Sequence, residues 1–393
     1  MNNPAMRFKR DDGTVFPDWS SSEIGNVADT CSGGTPSTSV SEYWDGPIQW
    51  LTPTEINSKY VHNSKRTITS AGIASSSAKL LPIGALLLTT RATIGACSIN
   101  NFDGDVSTNQ GFQSLICKSS LFNEYAYYAI TRDKFQKELI KHSSGSTFLE
   151  ISSKNLKKLP IPIPCLEEQQ KIASFFSTLD QKIELNERKL EALEKLKKGV
   201  MQKCFNNSNW TKHQLKDVCK SFSGGTPNSK NRSFYNGEIP FIRSGEIHQN
   251  ITELSVTTEA VKNSSAKLVK SGDLLYALYG ANSGDCDLSK INGAINQAIL
   301  CIRPKSDNIV DMLFLKEQLF HLKSKITSKY LQGGQGNLSG RLVMNLSILL
   351  PPYIEQLTYS SLFGSINNKI EITKQKLFLL QKLKQGLMQQ MFI

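Results

Sequence analysis

The sequence lacks the short motifs that mark most metal-dependent and nucleotide-driven enzymes. Its eight cysteines form no CxxC pair, and no two of them lie closer than 15 residues, so neither zinc-ligand spacing nor a compact disulfide framework is indicated. A Gly-Lys dipeptide is absent, which excludes a P-loop, and the five histidines form no HExxH. We therefore expect reduced, mostly buried cysteines and neither a metal centre nor an ATP-driven motor in this chain.

The residues needed for methyl transfer or strand cleavage are also missing. A methyltransferase that acts on a base amino group needs Asn or Asp before Pro-Pro-aromatic, because that side chain accepts hydrogen bonds from the flipped base. The nearest stretch is Leu350-Pro351-Pro352-Tyr353, in which leucine supplies no acceptor and the prolines suit the start of a helix. The nuclease-like pattern Glu187-Arg188-Lys189 falls within a predicted long helix. The sequence therefore predicts a chain without catalytic residues.

Long apolar runs are absent as well. The longest, around residues 80–88 and 346–350, are too short to cross a bilayer, and the polar residues 1–19 do not read as a secretory signal. We therefore expect a cytoplasmic protein without a membrane partner. Positive charge, in contrast, is abundant, with a net charge of +12 and a pI near 9.2. This excess favours an acidic partner, nucleic acid before a membrane.

One stretch of the chain occurs twice. Residues 159–205 align with residues 347–392 at a shift of 187, and each copy places apolar residues at alternating steps of 4 and 3, the pattern of a coiled-coil seam. A surface helix with imperfect packing is the alternative. Two seam positions are polar in both copies, Asn186 with Thr373 and Lys197 with Lys384, which suggests a register device. The predicted seam residues are Ile172, Phe176, Leu179, Ile183, Asn186, Leu190, Leu193, Phe363, Ile366, Ile370, Thr373, Leu377 and Leu380.

The remaining sequence is duplicated more loosely. The motif Ser-Gly-Gly-Thr-Pro recurs at residues 32–36 and 223–227, and an Asn-Gln pair recurs at 109–110 and 296–297. Short strands and one helix are predicted in each copy, the helices at about 123–141 and 310–330. The expected order is a first globular domain (1–163), a long helix (164–206), a second globular domain (207–350) and a second long helix (351–393).

Connectivity constrains the direction of the two long helices. A helix of 40 residues is about 60 Å long, whereas a globule of about 140 residues has a radius of gyration near 14 Å and cannot bridge that length. The second globule starts within about ten residues of the first long helix and leads directly into the second. We therefore expect an α+β fold with two similar globules separated by two antiparallel coiled-coil helices, pseudo-twofold symmetric.

These features together resemble the specificity subunits of type I restriction-modification systems. The resemblance rests on the Ser-Gly-Gly-Thr-Pro motif, the Pro-x-x-Glu-Gln entry to a long helix, the run Leu278-Tyr-Gly-Ala-Asn-Ser-Gly284, the Asn-Gln pairs and the domain order, and it covers essentially the whole chain. It implies that each globule is a target-recognition domain reading one half of a bipartite site in double-stranded DNA. It also implies that the helices set the spacer and dock methyltransferase subunits.

The resemblance further implies which partners and cofactors to expect. Two methyltransferase (M) subunits and translocase-nuclease restriction (R) subunits would assemble with this chain. S-adenosylmethionine, ATP and Mg would belong to those partners, and no cofactor is expected here. A coiled-coil adaptor that binds proteins without DNA specificity is the alternative, although the net charge and the paired globules weigh against it.

Candidate DNA contacts follow from residue chemistry. Arg91 and Arg243 follow predicted strands, where a guanidinium reaches guanine or phosphate, and the repeated Lys79 and Lys267 suit phosphates. The repeated Asn and Gln side chains pair with adenine or serve the scaffold, and the Ser-Gly-Gly-Thr-Pro glycines serve a turn or a phosphate contact. The full candidate set is Lys65, Arg66, Lys79, Arg91, Thr93, Asn109, Gln110, Ser144, Lys230, Arg232, Arg243, Lys267, Tyr276, Tyr279, Asn296, Gln297 and Gln335.

Overall fold

A computed structural model describes residues 3–91, 93–145, 149–207, 209–331 and 337–392. The chain forms two compact units, and the boundary between them falls inside both long helices. Unit 1 comprises Met1–Asn186 with Lys376–Ile393, and unit 2 comprises Glu187–Gln375. Each unit therefore combines one globule with part of each long helix. Among the described residues, no helix is both long and apolar enough to span a membrane.

The globule of unit 1 is built from short strands and short helices. Its strands are β1 (Ser20–Glu23), β2 (Ala28–Ser32), β3 (Trp44–Leu51), β4 (Tyr60–Val61), β5 (Arg66–Ile68), β6 (Leu86–Leu88), β7 (Cys97–Asn100), β8 (Val106–Thr108), β9 (Gln113–Cys117) and β10 (Pro160–Ile163). Its helices are α1 (Ile24–Val27), α2 (Ser70–Ala74), α3 (Asn123–Thr131), α4 (Asp133–Lys141) and α5 (Ser153–Lys157), and the first long helix, α6 (Leu166–Phe205), follows.

The globule of unit 2 repeats this plan. Its strands are β11 (Thr211–Gln214), β12 (Cys219–Ser223), β13 (Tyr235–Ile242), β14 (Leu254–Val256), β15 (Lys267–Val269), β16 (Leu274–Ala277), β17 (Cys286–Leu288), β18 (Gly293–Ile295), β19 (Ile299–Pro304) and β20 (Ser347–Leu350). Its helices are α7 (Leu215–Val218), α8 (Thr258–Lys262), α9 (Met312–Leu331) and α10 (Gly340–Met344), and the second long helix, α11 (Tyr353–Met391), follows.

The sheets of the two units share a common strand order, with one extra strand in each unit: β4 in unit 1 and β15 in unit 2. Unit 1 has a sheet of order β2-β9-β6-β7-β4, and unit 2 has its counterpart β12-β19-β16-β17. A second sheet of order β5-β3-β8 corresponds to β14-β13-β18-β15, and in both the first pair is antiparallel and the next is parallel. A two-stranded ribbon, β1-β10 or β11-β20, closes each globule just before its long helix. The α+β prediction and the duplication are confirmed.

One predicted helix is broken. The sequence predicted a helix over 123–141, whereas the structure has α3 and α4 separated by Arg132, whose backbone is extended (φ −68°, ψ 148°). Gln136 stabilises the break, because its Nε2 donates to the carbonyls of Ile130 (2.8 Å) and Gly95 (3.0 Å). This side chain satisfies an acceptor that the end of α3 would otherwise leave unpaired. The counterpart helix α9 runs without a break.

A repeated Glu-Trp contact attaches each long helix to its globule. In unit 1, Trp19 Nε1 donates to Glu168 Oε2 at 2.9 Å, and the Glu168 side chain is fully buried. In unit 2, Trp210 Nε1 donates to Glu355 Oε1 at 3.2 Å. Both glutamates lie in the first turn of a long helix, where the helix dipole stabilises a carboxylate. The Glu of the duplicated pattern Pro-x-x-x-Glu-Gln, at residues 164–169 and 351–356, therefore has a structural role.

The Gln of the same motif fastens a second helix. Gln169 accepts from the backbone amide of Phe122 (2.7 Å) at the start of α3, and its Nε2 donates to the carbonyl of Pro164 (2.9 Å). Gln356 repeats both bonds, to the amide of Asp311 and the carbonyl of Pro351, each at 2.9 Å. The motif thus links the long helix, its proline-marked entry and the preceding globular helix in each unit.

In each unit the two long-helix segments run antiparallel. In unit 1, Phe392, just after the end of α11, lies 6.0 Å from Phe176 near the start of α6 and stacks on Tyr125 at 5.6 Å. In unit 2, Phe205 at the end of α6 stacks on Phe363 near the start of α11 at 5.8 Å. The end of one helix thus packs beside the start of the other, as the connectivity predicted.

The predicted seam positions are all buried or half-buried along both helices. The two polar exceptions Asn186 and Thr373 are buried, and each bonds to a carbonyl of its own helix, to Lys182 O and Lys369 O, both at 2.7 Å. Burial of these polar groups is therefore compensated within each helix.

The seam lysine of unit 1 is paired with an acid on the neighbouring long helix. Lys384 Nζ lies 2.6 Å from Asp180 Oδ1, and Tyr128 on α3 donates its hydroxyl to Asp180 Oδ2 at 2.7 Å. Burial and this hydrogen bond raise the pKa of Tyr128, so the phenol stays protonated and donates.

In unit 2 the acid lies on the globule instead. Lys197 Nζ lies 2.9 Å from Glu317 Oε2 on α9, and Asn367 Nδ2 donates to Glu317 Oε1 at 2.8 Å. Burial alone would raise the pKa of Glu317, but Lys316 and Lys197 lower it, so the group is held as a carboxylate. In unit 1 the acid lies on the long helix and its neutral partner on the globular helix, whereas in unit 2 the acid lies on the globular helix and its neutral partner on the long helix.

Candidate nucleic-acid interface

The Ser-Gly-Gly-Thr-Pro motif is shaped by close backbone contact. A Cβ on Gly33 would lie 2.0 Å from the carbonyl oxygen of Asn109, and one on Gly224 would lie 1.8 Å from that of Ile295. The second glycine of each motif is crowded to a similar degree. Glycine is needed at these positions because any side chain would collide with the neighbouring segment. This geometry supports the first of the two roles considered for these glycines, a tightly packed turn, over a phosphate contact.

The threonine of the motif binds the glutamine of the Asn-Gln pair. Thr35 Oγ1 donates to Gln110 Oε1 at 2.5 Å, and Thr226 Oγ1 donates to Gln297 Oε1 at 2.6 Å. All four residues are exposed or lie at the surface edge of their globule. This Thr-Gln pair uses the amide oxygen, and the described residues offer the two Nε2 groups no hydrogen-bond acceptor. An amide donor is thus presented at the same place in both units.

The asparagines of these pairs hold turns. Asn109 Oδ1 accepts from the amide of Gly111 at 2.8 Å, and Asn296 Oδ1 accepts from the amide of Ala298 at 3.1 Å. Both side chains are half-buried. Because the acceptor that would pair with adenine N6 is already used, the scaffold alternative fits the asparagines better than the adenine contact.

Arg91 and Tyr279 lie at exposed strand ends. Arg91 Nε forms an ion pair with Glu150 Oε1 at 2.8 Å, and 48% of its side chain is exposed. Tyr279 is 38% exposed, and its backbone bridges to Asn337. Both side chains are accessible to solvent.

Arg243, although 39% of its side chain is exposed, is paired with two carboxylates. Its Nε and one terminal nitrogen bond Glu246 at 3.0 and 3.1 Å, and the other contact is to Glu253. These hydrogen bonds raise the pKa of Arg243 and neutralise its charge locally. The predicted base contact would require this network to open.

Tyr276 was predicted to contact DNA, and its burial corrects this prediction. The residue lies on β16 with no exposed surface, inside the core formed with α9. Its hydroxyl has no hydrogen-bond partner among the described residues, and burial raises its pKa. Tyr276 is therefore a packing residue that DNA cannot reach.

The remaining candidates are mostly surface side chains. Arg66 is exposed and its guanidinium lies 3.5 Å from the ring centre of Trp44, a cation-π contact that fixes the side chain. Gln335 lies outside the described residues. The candidates with exposed side chains are Lys65, Lys79, Thr93, Ser144, Lys230, Arg232 and Lys267.

Sequence reasoning missed an ionic cluster in unit 2. His248 Nε2 lies 3.2 Å from Asp285 Oδ2, and its Nδ1 lies 2.9 Å from Asp287 Oδ2. Hydrogen bonds to Asp285 and Asp287 raise the pKa of His248 to about 9. The spacing of two in Asp285-Cys286-Asp287 was a usable signal, because alternate residues of a strand share one face.

In the described part of the chain there is neither a cluster of metal ligands nor a disulfide bond. No group of three potential metal ligands is present there. All eight cysteines are free, five of them buried and three half-buried. These observations agree with reduced thiols packed as small apolar side chains.

Two copies of one scaffold, each presenting basic and amide side chains at matching edges, define a duplicated recognition protein. A model for the type I restriction modification DNA specificity domain matches residues 17–195 and 207–382. The specificity subunit of the type I restriction enzyme MjaIX from Methanocaldococcus jannaschii is 28% identical over 416 residues, covering 97% of this chain and 94% of that protein. The EcoR124I/EcoR124II specificity subunit from Escherichia coli is 26% identical over 160 residues, 40% of each chain.

A solved structure shows the same fold along the whole chain. The S subunit of a type I restriction-modification system from M. genitalium superposes with a TM-score of 0.70 at 17% identity, covering 100% of this chain and 99% of that one. The chain described here belongs to the family of type I restriction-modification DNA specificity subunits and carries two copies of the specificity domain. The resemblance inferred from the sequence is confirmed, and the adaptor alternative is not favoured.

Proposed function

We propose that each globule reads one half of a bipartite DNA site and that the paired helices set the unspecified spacer between the halves. The observation that carries this proposal is the contrast between repeated and non-repeated surface residues. The Thr-Gln pair and a lysine recur in both globules, whereas Arg91 in one corresponds to an aromatic residue in the other. A common scaffold with different reading groups suits two different half-sites.

The long helices present matching apolar surface in the two units. Three exposed apolar positions recur at the shift of 187, and each unit holds one member of every pair. Equivalent exposed apolar positions in two units suit two copies of one partner, which we take to be the methyltransferase subunit. The positions are Phe175, Leu185 and Leu383 in unit 1 and Leu362, Ile372 and Leu196 in unit 2.

Catalysis is assigned to partner subunits. No methyltransferase, P-loop or zinc-hydrolase motif occurs in the sequence, so S-adenosylmethionine, ATP and Mg are proposed to act in the methyltransferase and restriction subunits. Double-stranded DNA is the ligand of this chain, in keeping with its net charge of +12.

Methylome sequencing of the host, with this gene present and deleted, tests the proposal. We expect one bipartite methylated motif to disappear on deletion. Replacing residues 1–163 by the first globule of a homologue should then change one half of that motif and leave the other intact. A change in both halves would refute independent reading. If the purified complex with its methyltransferase subunit prefers no DNA sequence over bulk competitor, the chain acts as a protein-binding adaptor.

A further inference from the structure

We infer that Arg91 with Glu150 in the first globule and Tyr279 with Asn337 in the second occupy one equivalent base-reading position, and that this position makes the two half-sites different. The inference rests on the proposed function, in which each globule reads one half-site. Among the many exposed polar residues, it assigns the difference between the two half-sites to a single position of the fold.

The equivalence follows from matching backbone bonds. The amide of Thr90 donates to the carbonyl of Gly111 at 2.8 Å, and the amide of Leu278 donates to the carbonyl of Ala298 at the same distance. Arg91 and Tyr279 directly follow these two donors. Each therefore leaves its strand, β6 or β16, at the same point of the sheet.

The residues opposite are equivalent too. The amide of Ile151 donates to the carbonyl of Thr90 at 3.4 Å, and the amide of Leu338 donates to the carbonyl of Leu278 at 2.8 Å. Glu150 and Asn337 directly precede these two donors. A strand-end residue and a facing loop residue thus meet in both globules, as Arg91 with Glu150 and as Tyr279 with Asn337.

This position adjoins the repeated Thr-Gln pair. Gly111, which receives the bond from Thr90, directly follows Gln110, and Ala298 directly follows Gln297. Each site therefore places a group that is the same in both globules next to one that differs. The common amide suits an anchoring contact, and the differing side chains suit discrimination between bases.

The chemistry of the two versions predicts different base pairs. The Arg91 guanidinium is about half exposed and is oriented by one carboxylate, so its terminal nitrogens suit the O6 and N7 acceptors of guanine. In the second globule the equivalent residues, Tyr279 and Asn337, are uncharged and exposed, and the amide of Asn337 suits adenine N6 and N7. We expect a G·C pair in the first half-site and an A·T pair in the second.

The test uses the chain assembled with its cognate methyltransferase subunits and duplexes carrying the native motif or single base changes in either half. Arg91→Gln should lose about 5- to 140-fold in affinity, the range for one bidentate contact, and lose discrimination at one G·C pair of the first half-site. Arg91→Lys should retain part of that preference. Asn337→Ala should affect the second half-site alone.

Lys79→Gln serves as the matched control, because it removes an exposed positive charge that recurs in both globules. It should weaken all duplexes uniformly and reduce the slope of affinity against salt by about one. The inference is overturned if Arg91→Gln behaves in this uniform way or if its base preferences are unchanged. A wild-type complex without any sequence preference would instead refute the proposed function. The untouched half-site in each variant reports that the protein is folded.

Discussion

The buried acid of unit 2 allows a sharp test of how a globule is fixed to the long helices. Glu317 has no exposed side-chain surface, and it pairs with Lys197 at 2.9 Å and with Lys316 at 2.7 Å. Glu317→Gln keeps the shape but removes the carboxylate that pairs with both lysines, while Lys316 retains a second acid, Asp287, at 3.7 Å. Breaking a buried ion pair by removing one partner costs about 3–5 kcal/mol.

The lower end of that range is expected here. Lys197 and Lys316 keep 18% and 14% of their side-chain surface exposed, so both can gain some hydration once the acid is gone. A loss of about 3 kcal/mol corresponds to a fall in Tm of about 6–12 °C for a unit of this size. Because the chain has two compact units, a single melting curve is not a two-state measurement.

Hydrogen exchange followed by mass spectrometry separates the units. Glu317→Gln should accelerate exchange in peptides of α9 and of the globule of unit 2, and leave the globule of unit 1 unchanged. Asp180→Asn, which removes the acid paired with Lys384, is the matched control and should do the reverse. The double variant Glu317→Tyr with Asn367→Asp rebuilds the unit 1 arrangement and should recover part of the stability. Wild-type exchange rates in Glu317→Gln would refute the reasoning.

The remaining predictions concern pH, glycine and spacing. The pKa of His248 is raised in the folded protein to about 9 from 6.5, so its stabilising contribution is full below about pH 6.5 and is lost as pH rises through 9. The difference in Tm between wild type and His248→Asn should therefore shrink between pH 6.5 and 9. A difference that stays constant over this range would contradict the prediction. Gly33→Ala should destabilise unit 1, because its Cβ meets a carbonyl at 2.0 Å, whereas Gly199→Ala, with open space in α6, should stabilise by up to about 1 kcal/mol; urea titration distinguishes the two signs. Inserting one heptad at matching positions of α6 and α11 adds about 10 Å of helix, which equals about three base pairs of DNA. Methylome sequencing should then show a longer spacer with both half-sites intact. An unchanged spacer would contradict the proposal that the helices set its length.

The long helices were predictable because their signals are local and periodic. The prolines at 162 and 164, the acids of the first turn and the 4-and-3 spacing together predicted a long helix over 164–206, and α6 spans Leu166–Phe205. The break at Arg132 was not predictable in this way. Neither Gly nor Pro marks it, and the side chain that stabilises it, Gln136, has its contacts in space.

The burial and pairing of candidate side chains could not be read from the sequence. Tyr276 lies in the apolar run Leu274–Ala277, which is buried on both faces, so the sequence shows no alternation that would separate inward from outward residues. The carboxylate partners of Arg243, Glu246 and Glu253, are near it in the sequence, but nothing in the residue pattern shows that Arg243 pairs with both of them. Sequence alone therefore named candidate side chains without showing which of them are buried or paired.

The acid that pairs with the seam lysine lies on the long helix in unit 1 and on the globule in unit 2. This difference restricts how genes for specificity subunits can recombine. A first globule grafted into the second position would bring Tyr128 against Asn367 and leave Lys197 without a carboxylate. The reverse graft would bring Glu317 against Asp180 and crowd two acids around Lys384. New specificities should therefore arise more readily by replacing a globule with one from the same position in another gene than by moving it between the two positions of a single chain.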